Sequence, residues 1–454
     1  MRLSVIGLGK LGAPIAAAFA SRGFPTIGVD VNPQVVEAIN AGRSPVLEPG
    51  VNEAIAHADG RLRATQDYQD AIQHSDITFI LVPTPSEPDG RFSLRYVRQA
   101  AEAVGQVLRQ KREYHLVVVS STVLPGSTEF GILPVLEGAS GKRCGQDFGL
   151  CYSPEFVALG TVLRDFLRPD FVLIGESDTK AGDTLESLYR QVLLNQPPIV
   201  RTNWINAELA KIAFNTFGTL KISFCNMLAA LCERLPGADV DTVTRTISLD
   251  RRISGPSYMK GALGYGGPCL PRDNRALAFL ASYVGVNASL AETTDAFNRT
   301  VAERVVQRVL ALTPPGGTVA VLGLAYKPDT PIVEESQGLN IAQHLAQAGV
   351  RVVVYDPLAM EEARKLLGEQ VVYAPSVAEA VRHAHVVLIA NPDPAFRALP
   401  LENNSPHPIV VDAWRLMRER FSNPSATYAP LGIGNAEPLA REHLARLWKS
   451  PAEQ

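Results

Sequence analysis

The sequence predicts an α/β protein with two doubly wound parallel-sheet domains joined by a central helical domain that contains a long helix. Three observations predict it. Strand-sized apolar runs alternate with helix-sized segments at both ends of the chain. A glycine fingerprint joins the first strand to the first helix. Between them, about Asn206 to Glu233 holds no proline and is closed by Pro236-Gly237; as a helix it would run roughly 40 Å.

The first segment reads as strand Leu3–Ile6, turn Gly7-Leu8-Gly9-Lys10-Leu11-Gly12, an alanine-rich helix to about Ser21, then strand Thr26–Val29 ending in Asp30. This is the order a βαβ dinucleotide unit requires. Gly7 serves the tight turn, Gly9 the approach of a pyrophosphate and Gly12 the packing of helix on sheet, while the helix N-terminus meets the phosphate charge. Asp30 would accept ribose hydroxyls and repel a 2′-phosphate, by ~4 kcal/mol for unit charges ~4 Å apart at intermediate dielectric. No arginine follows at once, so NAD is expected rather than NADP.

Further strands are expected at Ile77–Val82 and Leu116–Ser120, followed by Pro83-Thr84-Pro85 and by Ser121-Thr122-Val123-Leu124-Pro125-Gly126. Parallel sheets bind ligands at such carboxyl ends. Thr84 and Thr122 either line that crevice or cap helices. In the long helix, Lys211 and Asn215 stand one turn apart on one face, as site groups or as its wet side. A second alternation begins after Pro314-Pro315-Gly316-Gly317: strand Thr318–Leu322, helix Gly338–Ala348, strand Arg351–Tyr355, then strands Val386–Ile389 and Ile409–Val411. It lacks the glycine fingerprint, so a second dinucleotide is not expected there.

The run Gly264-Tyr265-Gly266-Gly267-Pro268-Cys269-Leu270-Pro271-Arg272-Asp273 carries the chemistry. Pro271 suits the first position of a helix, which puts Cys269 near the helix N-terminus, where the dipole favours a thiolate. Beside a nicotinamide, a thiolate can hold an aldehyde covalently and send it on to an acid. The alternative is an inert thiol in a buried glycine turn. The other cysteines, Cys144, Cys151, Cys225 and Cys232, form no CxxC pair, which argues against a disulfide framework or a zinc site.

With 454 residues, 46% hydrophobic and 20% charged, and a formal net charge of −3, the composition is that of a soluble globular protein of about three domains. It suggests neither a nucleic-acid partner nor a membrane span, and a cytoplasmic enzyme fits.

Taken in order from Gly7 to Arg415, the motifs resemble the UDP-glucose/GDP-mannose dehydrogenases. They are the N-terminal fingerprint, Leu47-Glu48-Pro49-Gly50, Val82-Pro83-Thr84-Pro85, Ser121-Thr122, Ser153-Pro154-Glu155-Phe156, Lys211 with Asn215, the Cys269 segment with Asp273, and Gly323 to Lys327. The resemblance implies Rossmann-like domains and a four-electron oxidation of a nucleotide sugar's C6 alcohol to the carboxylate with two NAD. Asp273 and Thr122 would hold the water that takes the hydroxyl proton. Cys269 would attack the aldehyde, Lys211 and Asn215 would stabilise the thiohemiacetal oxyanion, and Glu155 would be the base that hydrolyses the thioester, with Asp273 as its partner or substitute.

By the same resemblance the cofactor contacts are Gly7, Gly9, Lys10, Leu11, Gly12, Asp30, Pro83, Thr84, Ser121, Thr122 and Arg272. The substrate contacts are Glu155, Phe156, Val157, Ala158, Lys211, Asn215, Lys260, Tyr265, Gly266, Tyr326, Lys327 and Arg415, with Arg252 lent to a neighbouring subunit. No metal is implied. Residues 1–200 would bind NAD, 201–300 would form the central helical and dimerisation domain, and 301–454 would bind the nucleotide sugar; a homodimer through the central helix is expected. Cys-Leu-Pro-Arg-Asp is closest to the glucose-type segment, so UDP-glucose is favoured, with UDP-N-acetylmannosamine, UDP-N-acetylglucosamine, TDP-glucose and GDP-mannose open. A two-electron hydroxy-acid dehydrogenase and a non-catalytic nucleotide-sugar-binding protein are the other readings. The chain departs from the family pattern at Val35, Leu159 and Glu334, where a basic residue, a glutamate and an arginine are usual.

Overall fold

The computed structural model describes residues 1–250, 258, 260–401, 407–421 and 427–433. They divide into two compact units, Met1–Phe214 and Asn215–Gln454.

The first unit is built on strands β1 (Leu3–Ile6), β2 (Thr26–Val29), β3 (Leu62–Thr65), β4 (Ile77–Ile80), β5 (His115–Val119), β6 (Phe148–Tyr152), β7 (Val172–Glu176) and β8 (Ile199–Thr202). They lie in the order β3-β2-β1-β4-β5-β6-β7-β8. The order reverses between β1 and β4, so the crevice outside their carboxyl ends is the switch point where such sheets bind ligands. Strands β1, β2, β4 and β5 are buried along their whole length, because helices cover both faces. These helices are α1 (Gly12–Ser21), α2 (Pro33–Asn40), α3 (Val51–His57), α4 (Tyr68–Gln73), α5 (Arg95–Leu108), α6 (Leu133–Ser140), α7 (Val162–Leu167) and α8 (Thr179–Val192). Helix α1 is buried from Gly12 to Ala20, and its run of alanines lets it lie close on the sheet. Phe19 is its one aromatic residue, packed 4.9 Å from Phe79 and 5.4 Å from Phe166, centroid to centroid.

Besides shifts of one or two residues at other element ends, two details differ from the sequence expectation. Strand β4 stops at Ile80 instead of Val82, since the Val82 N–H has left the ladder for the Ser121 hydroxyl. One pair, β6 with β7, is antiparallel; its connection carries only the short α7 and needs no crossover helix.

Helix α9 (Trp204–Cys232) is a single 29-residue helix. The second unit adds α10 (Val240–Ser248), α11 (Leu270–Tyr283) and α12 (Ser289–Leu312), then a second sheet of β9 (Thr318–Leu322), β10 (Arg351–Tyr355), β11 (Val372–Tyr373), β12 (Val386–Ile389) and β13 (Ile409–Asp412). Its order is β11-β10-β9-β12-β13 and every pair is parallel. Helices α13 (Gln337–Gln347), α14 (Met360–Leu367) and α15 (Val377–Val381) cross over it. Ser336 and Ser376 cap α13 and α15 by accepting the N–H of Leu339 and Glu379.

Candidate active site

Gly7 has φ +90°, and a Cβ there would come 2.5 Å from the Leu81 carbonyl oxygen; one on Gly12 would fall 1.7 Å from the Gly7 oxygen. Both positions therefore require glycine, the first for the turn and the second for helix contact. A Cβ on Gly9 would meet nothing within 4 Å among the described residues, so the turn is open there to the approach of a pyrophosphate. Lys10 is exposed, Leu11 is half-buried, and among the described residues no side chain caps α1. Asp30 accepts the Leu8 N–H on Oδ2 at 2.8 Å and the Asn32 N–H on Oδ1 at 2.9 Å. A carboxylate has about four acceptor positions, so each oxygen keeps capacity for a ribose hydroxyl. The residues present fit a bound NAD.

The second unit repeats this turn in a form the sequence pattern hides. Gly323 has φ +100°, and a Cβ on Gly338 would lie 2.1 Å from the Gly323 oxygen. Gly338 thus does the work of Gly12 from fifteen residues away. Asp356, the counterpart of Asp30, accepts four N–H groups, from Leu324, Ala325, Leu358 and Ala359. Its acceptor capacity is used up by its own loops, which leaves none for a ribose.

In the first unit the loops after β4 and β5 are stitched together. The Ser121 hydroxyl accepts the Val82 N–H at 3.0 Å and donates to the Val82 carbonyl at 2.7 Å. The Thr84 hydroxyl donates to the Thr122 carbonyl at 2.7 Å, so Thr84 is buried as a brace rather than a helix cap. Thr122 is half-buried and Pro83 exposed.

The loop after β6 carries Glu155, Phe156, Val157 and Ala158. Glu155 Oε1 is enclosed and, among the described residues, has no hydrogen-bond partner. It lines a cavity of about 20 Å³ with Ser153, Phe166 and Tyr189, room for one water. Burial pushes the Glu155 carboxyl up to about 8, against the pull of the Lys211 charge. Lys211 Nζ donates to the Glu155 carbonyl at 2.7 Å and lies 4.6 Å from the centroid of the Phe156 ring. Phe171 and Phe214 back that ring at 4.6 and 5.0 Å. Phe156 and Val157 are half-buried, Ala158 is exposed, and Leu159, in place of a glutamate, is half-buried. Val35 packs against the apolar core of this unit.

The Leu47-to-Gly50 segment has a task that its residue types do not announce. Glu48 is buried, and its oxygens accept the N–H groups of Gly160 at 2.9 Å and Val162 at 2.7 Å. It holds the far end of the Glu155 loop.

In the second unit Cys269 is the exposed N-cap residue of α11, with a proline in the first turn. Asp273, fully buried one turn later, accepts from Asn215 Nδ2 at 2.6 Å and from Arg272 Nε at 3.2 Å. The glycine run before the cysteine is tightly held. Asn298 exchanges two hydrogen bonds with the backbone of Tyr265, at 2.8 and 2.9 Å. The Tyr265 hydroxyl donates to Asp295 and accepts from Asn274. Gly267 has φ +82°, and a Cβ there would lie 2.6 Å from the Tyr326 ring. A Cβ on Gly266 would lie 2.3 Å from the Glu335 carbonyl oxygen, while the Glu334 carbonyl accepts the Gly267 N–H. The departure at Glu334 therefore meets the cysteine loop through its backbone. Tyr326 and Lys327 are half-buried and Lys260 is exposed.

Arg415 stands apart from the expected phosphate or sugar contact. It is buried, and its five N–H donors go to Asp241 (two, at 2.7 and 2.8 Å) and to the carbonyls of Gly261, Ala413 and Leu431. A guanidinium has five such donors, so here it is a clamp between loops of its own unit. Arg252 lies outside the described residues.

The comparisons with known proteins agree with this geometry. Residues 1–193 match the NAD binding domain of the UDP-glucose/GDP-mannose dehydrogenase family, 205–300 its central domain and 320–419 its UDP binding domain. The chain is 38% identical to UDP-glucose 6-dehydrogenase AglM of Haloferax volcanii, over 92% of this chain and 98% of that one. It is 33% identical to GDP-mannose 6-dehydrogenase of Pseudomonas putida, over 88% and 93%. A solved UDP-glucose dehydrogenase from Pyrobaculum islandicum superimposes with a TM-score of 0.87 at 37% identity, covering 95% of this chain and 98% of the other. With a glycine turn fit for NAD and all three family segments present in order, the chain belongs to the UDP-glucose/GDP-mannose dehydrogenase family and is an NAD-dependent oxidoreductase of nucleotide sugars.

Proposed function

We propose that the protein oxidises UDP-glucose to UDP-glucuronate through covalent intermediates on Cys269. The observation that carries this reading is Cys269 exposed at the N-terminus of α11, one turn before a buried Asp273 held by Asn215. The helix dipole at that position favours the thiolate. NAD, bound at Gly7, Gly9, Gly12 and Asp30, supplies the hydride acceptor for each of two oxidations.

The remaining chemistry belongs to the chain. A water held by Asp273 and Thr122 takes the C6 hydroxyl proton in the first oxidation. The Cys269 sulfur then bonds to the aldehyde carbon to give a thiohemiacetal, whose oxyanion is met by Lys211 and Asn215. Loss of the second hydride leaves a thioester. Glu155 takes a proton from the water that cleaves it, releasing the acid and the thiol. Phe156, Val157, Tyr265, Gly266, Tyr326 and Lys327 are read as substrate contacts, and residues 301–454 as the nucleotide-sugar segment.

UDP-glucose is favoured by the Cys-Leu-Pro-Arg-Asp segment and by the names of the Haloferax and Pyrobaculum relatives. GDP-mannose is the second reading, supported by the Pseudomonas relatives. The test is the NADH formed per limiting nucleotide sugar with excess NAD. Two NADH per UDP-glucose are expected; one would replace the four-electron reaction with a simple alcohol oxidation, and none, with two from GDP-mannose, would replace the substrate. Cys269→Ser should bind the sugar nucleotide and form no acid.

The same reading includes a homodimer through α9. Phe217, Leu220, Phe224, Met227 and Leu231 recur at three- and four-residue spacing and are exposed by 38 to 56%, the pattern of a helix–helix seam. Sedimentation should show a dimer that Phe224→Glu dissociates; a monomeric wild type with full activity would remove it. No helix among the described residues is long and apolar enough to cross a membrane, and a cytoplasmic location is part of the proposal.

A further inference from the structure

Glu208 sits on α9 one turn before Lys211 and is fully buried. An isolated carboxylate in such a place needs a partner. Its partners are both on the loop that follows β5: Oε2 accepts the Gly126 N–H at 2.7 Å and Oε1 the Thr128 N–H at 2.8 Å. That loop runs into a short wide helical turn, Ser127–Ile132, whose N-cap residue is Gly126 and brings no capping side chain. The cap is supplied from α9, eighty residues along the chain.

The other end of the loop carries Ser121 and Thr122, which are tied to Val82 and Thr84. Residues 121–128 are thus anchored at one end to the loop after β4 and at the other to the helical turn that also presents Lys211. Lys211 in turn holds the Glu155 carbonyl. A single turn of α9 therefore touches the Thr122 loop through Glu208 and the Glu155 loop through Lys211.

We propose that Glu208 is a positioning residue for the alcohol-oxidising half of the reaction: its two hydrogen bonds set where Thr122 stands. This rests on the reading of Thr122 as a partner of the C6 hydroxyl proton. Thr122 has that task only while the substrate is an alcohol; the thiohemiacetal and thioester steps belong to Cys269, Lys211 and Glu155. Displacing Thr122 should therefore slow the first oxidation selectively.

Glu208→Gln keeps the shape but turns an NH₂ toward one of the two backbone N–H groups, which frees that end of the loop. The expected result is a fall in kcat on UDP-glucose of about 10²-fold, the scale of a ~1 Å misplacement. KM should stay within about threefold, and the nucleotide sugar supplied as its 6-aldehyde should be oxidised at close to the wild-type rate. In the NAD-free protein, hydrogen exchange at residues 121–128 should speed up while the strands stay protected. Equal losses on alcohol and aldehyde, or unchanged exchange and unchanged kcat, would overturn the inference. If Glu208→Gln fails to fold, Glu208→Asp keeps the charge but is one methylene short for both N–H groups, and the same alcohol-selective loss is expected at smaller size. Thr122→Ala separates the two levels. If it too slows only the alcohol, equal losses in the Glu208 variants overturn the positioning role alone. If it slows neither substrate, the reading of Thr122 falls and this inference with it.

Discussion

Asn215 Nδ2 donates to Asp273 Oδ2 across 2.6 Å, and Asp273 has no exposed surface. The amide therefore both orients the carboxylate and shields it one turn after Cys269. Asn215→Asp would set two carboxylates against each other, and only one could ionise. We expect kcat/KM to fall about 10²- to 10³-fold. The loss should be smaller at acid pH, where a proton shared by the pair restores one hydrogen bond, than at alkaline pH. Parallel pH–rate profiles for wild type and variant would contradict this.

Glu48 holds Gly160 and Val162 with one oxygen each. In Glu48→Gln one of these N–H groups meets an NH₂ and loses its acceptor. The cost is about 1–3 kcal/mol of stability, readable by urea unfolding. Because the loop begins at Glu155 and Phe156, we also expect KM for the nucleotide sugar to rise about tenfold, with kcat changing less. A stability loss with unchanged KM would confine Glu48 to folding.

The first glycine turn was legible because its parts are neighbours: Gly7, Gly9, Gly12 and Asp30 fall at the spacing that one turn and one strand impose. The second was not. Gly338 meets Gly323 only after a loop of fourteen residues, and no short pattern spans it. Cys269 at its helix start could be read from Pro271, a local rule. Glu208 could not, since its partners lie eighty residues away and a lone acid in a helix usually marks the solvent side. Arg415 shows the same limit from the other direction. Its residue type suits a phosphate, but tertiary structure directs every donor inward.

Arg415→Lys tests that reassignment. Lysine keeps the charge but cannot fork to Asp241 or serve three carbonyls at once. Asp241 is 40% exposed, so the ion pair itself is screened and counts for little. The lost carbonyl bonds should cost about 2 kcal/mol of stability, while KM for the nucleotide sugar changes little. A large rise in KM without destabilisation would return Arg415 to the ligand.

Glu155 ties stability and catalysis to the same proton with opposite signs. Burial raises its carboxyl to about 8 from an ordinary value of 4.5. Between those values the folded protein holds a proton that the unfolded chain has released. Stability from this group is therefore complete below about pH 4.5, declines as pH rises, and is gone above about pH 8. A general base for thioester cleavage must be ionised, so the hydrolytic step should rise over the upper part of that window, with an apparent pKa near 8. Glu155→Gln removes both dependences. We expect its unfolding free energy to fall less than that of wild type between about pH 5 and about pH 9, and its thioester to accumulate after the second NADH is formed. Wild type and variant with the same pH slope of stability would show that the Glu155 carboxyl is ionised in the folded protein.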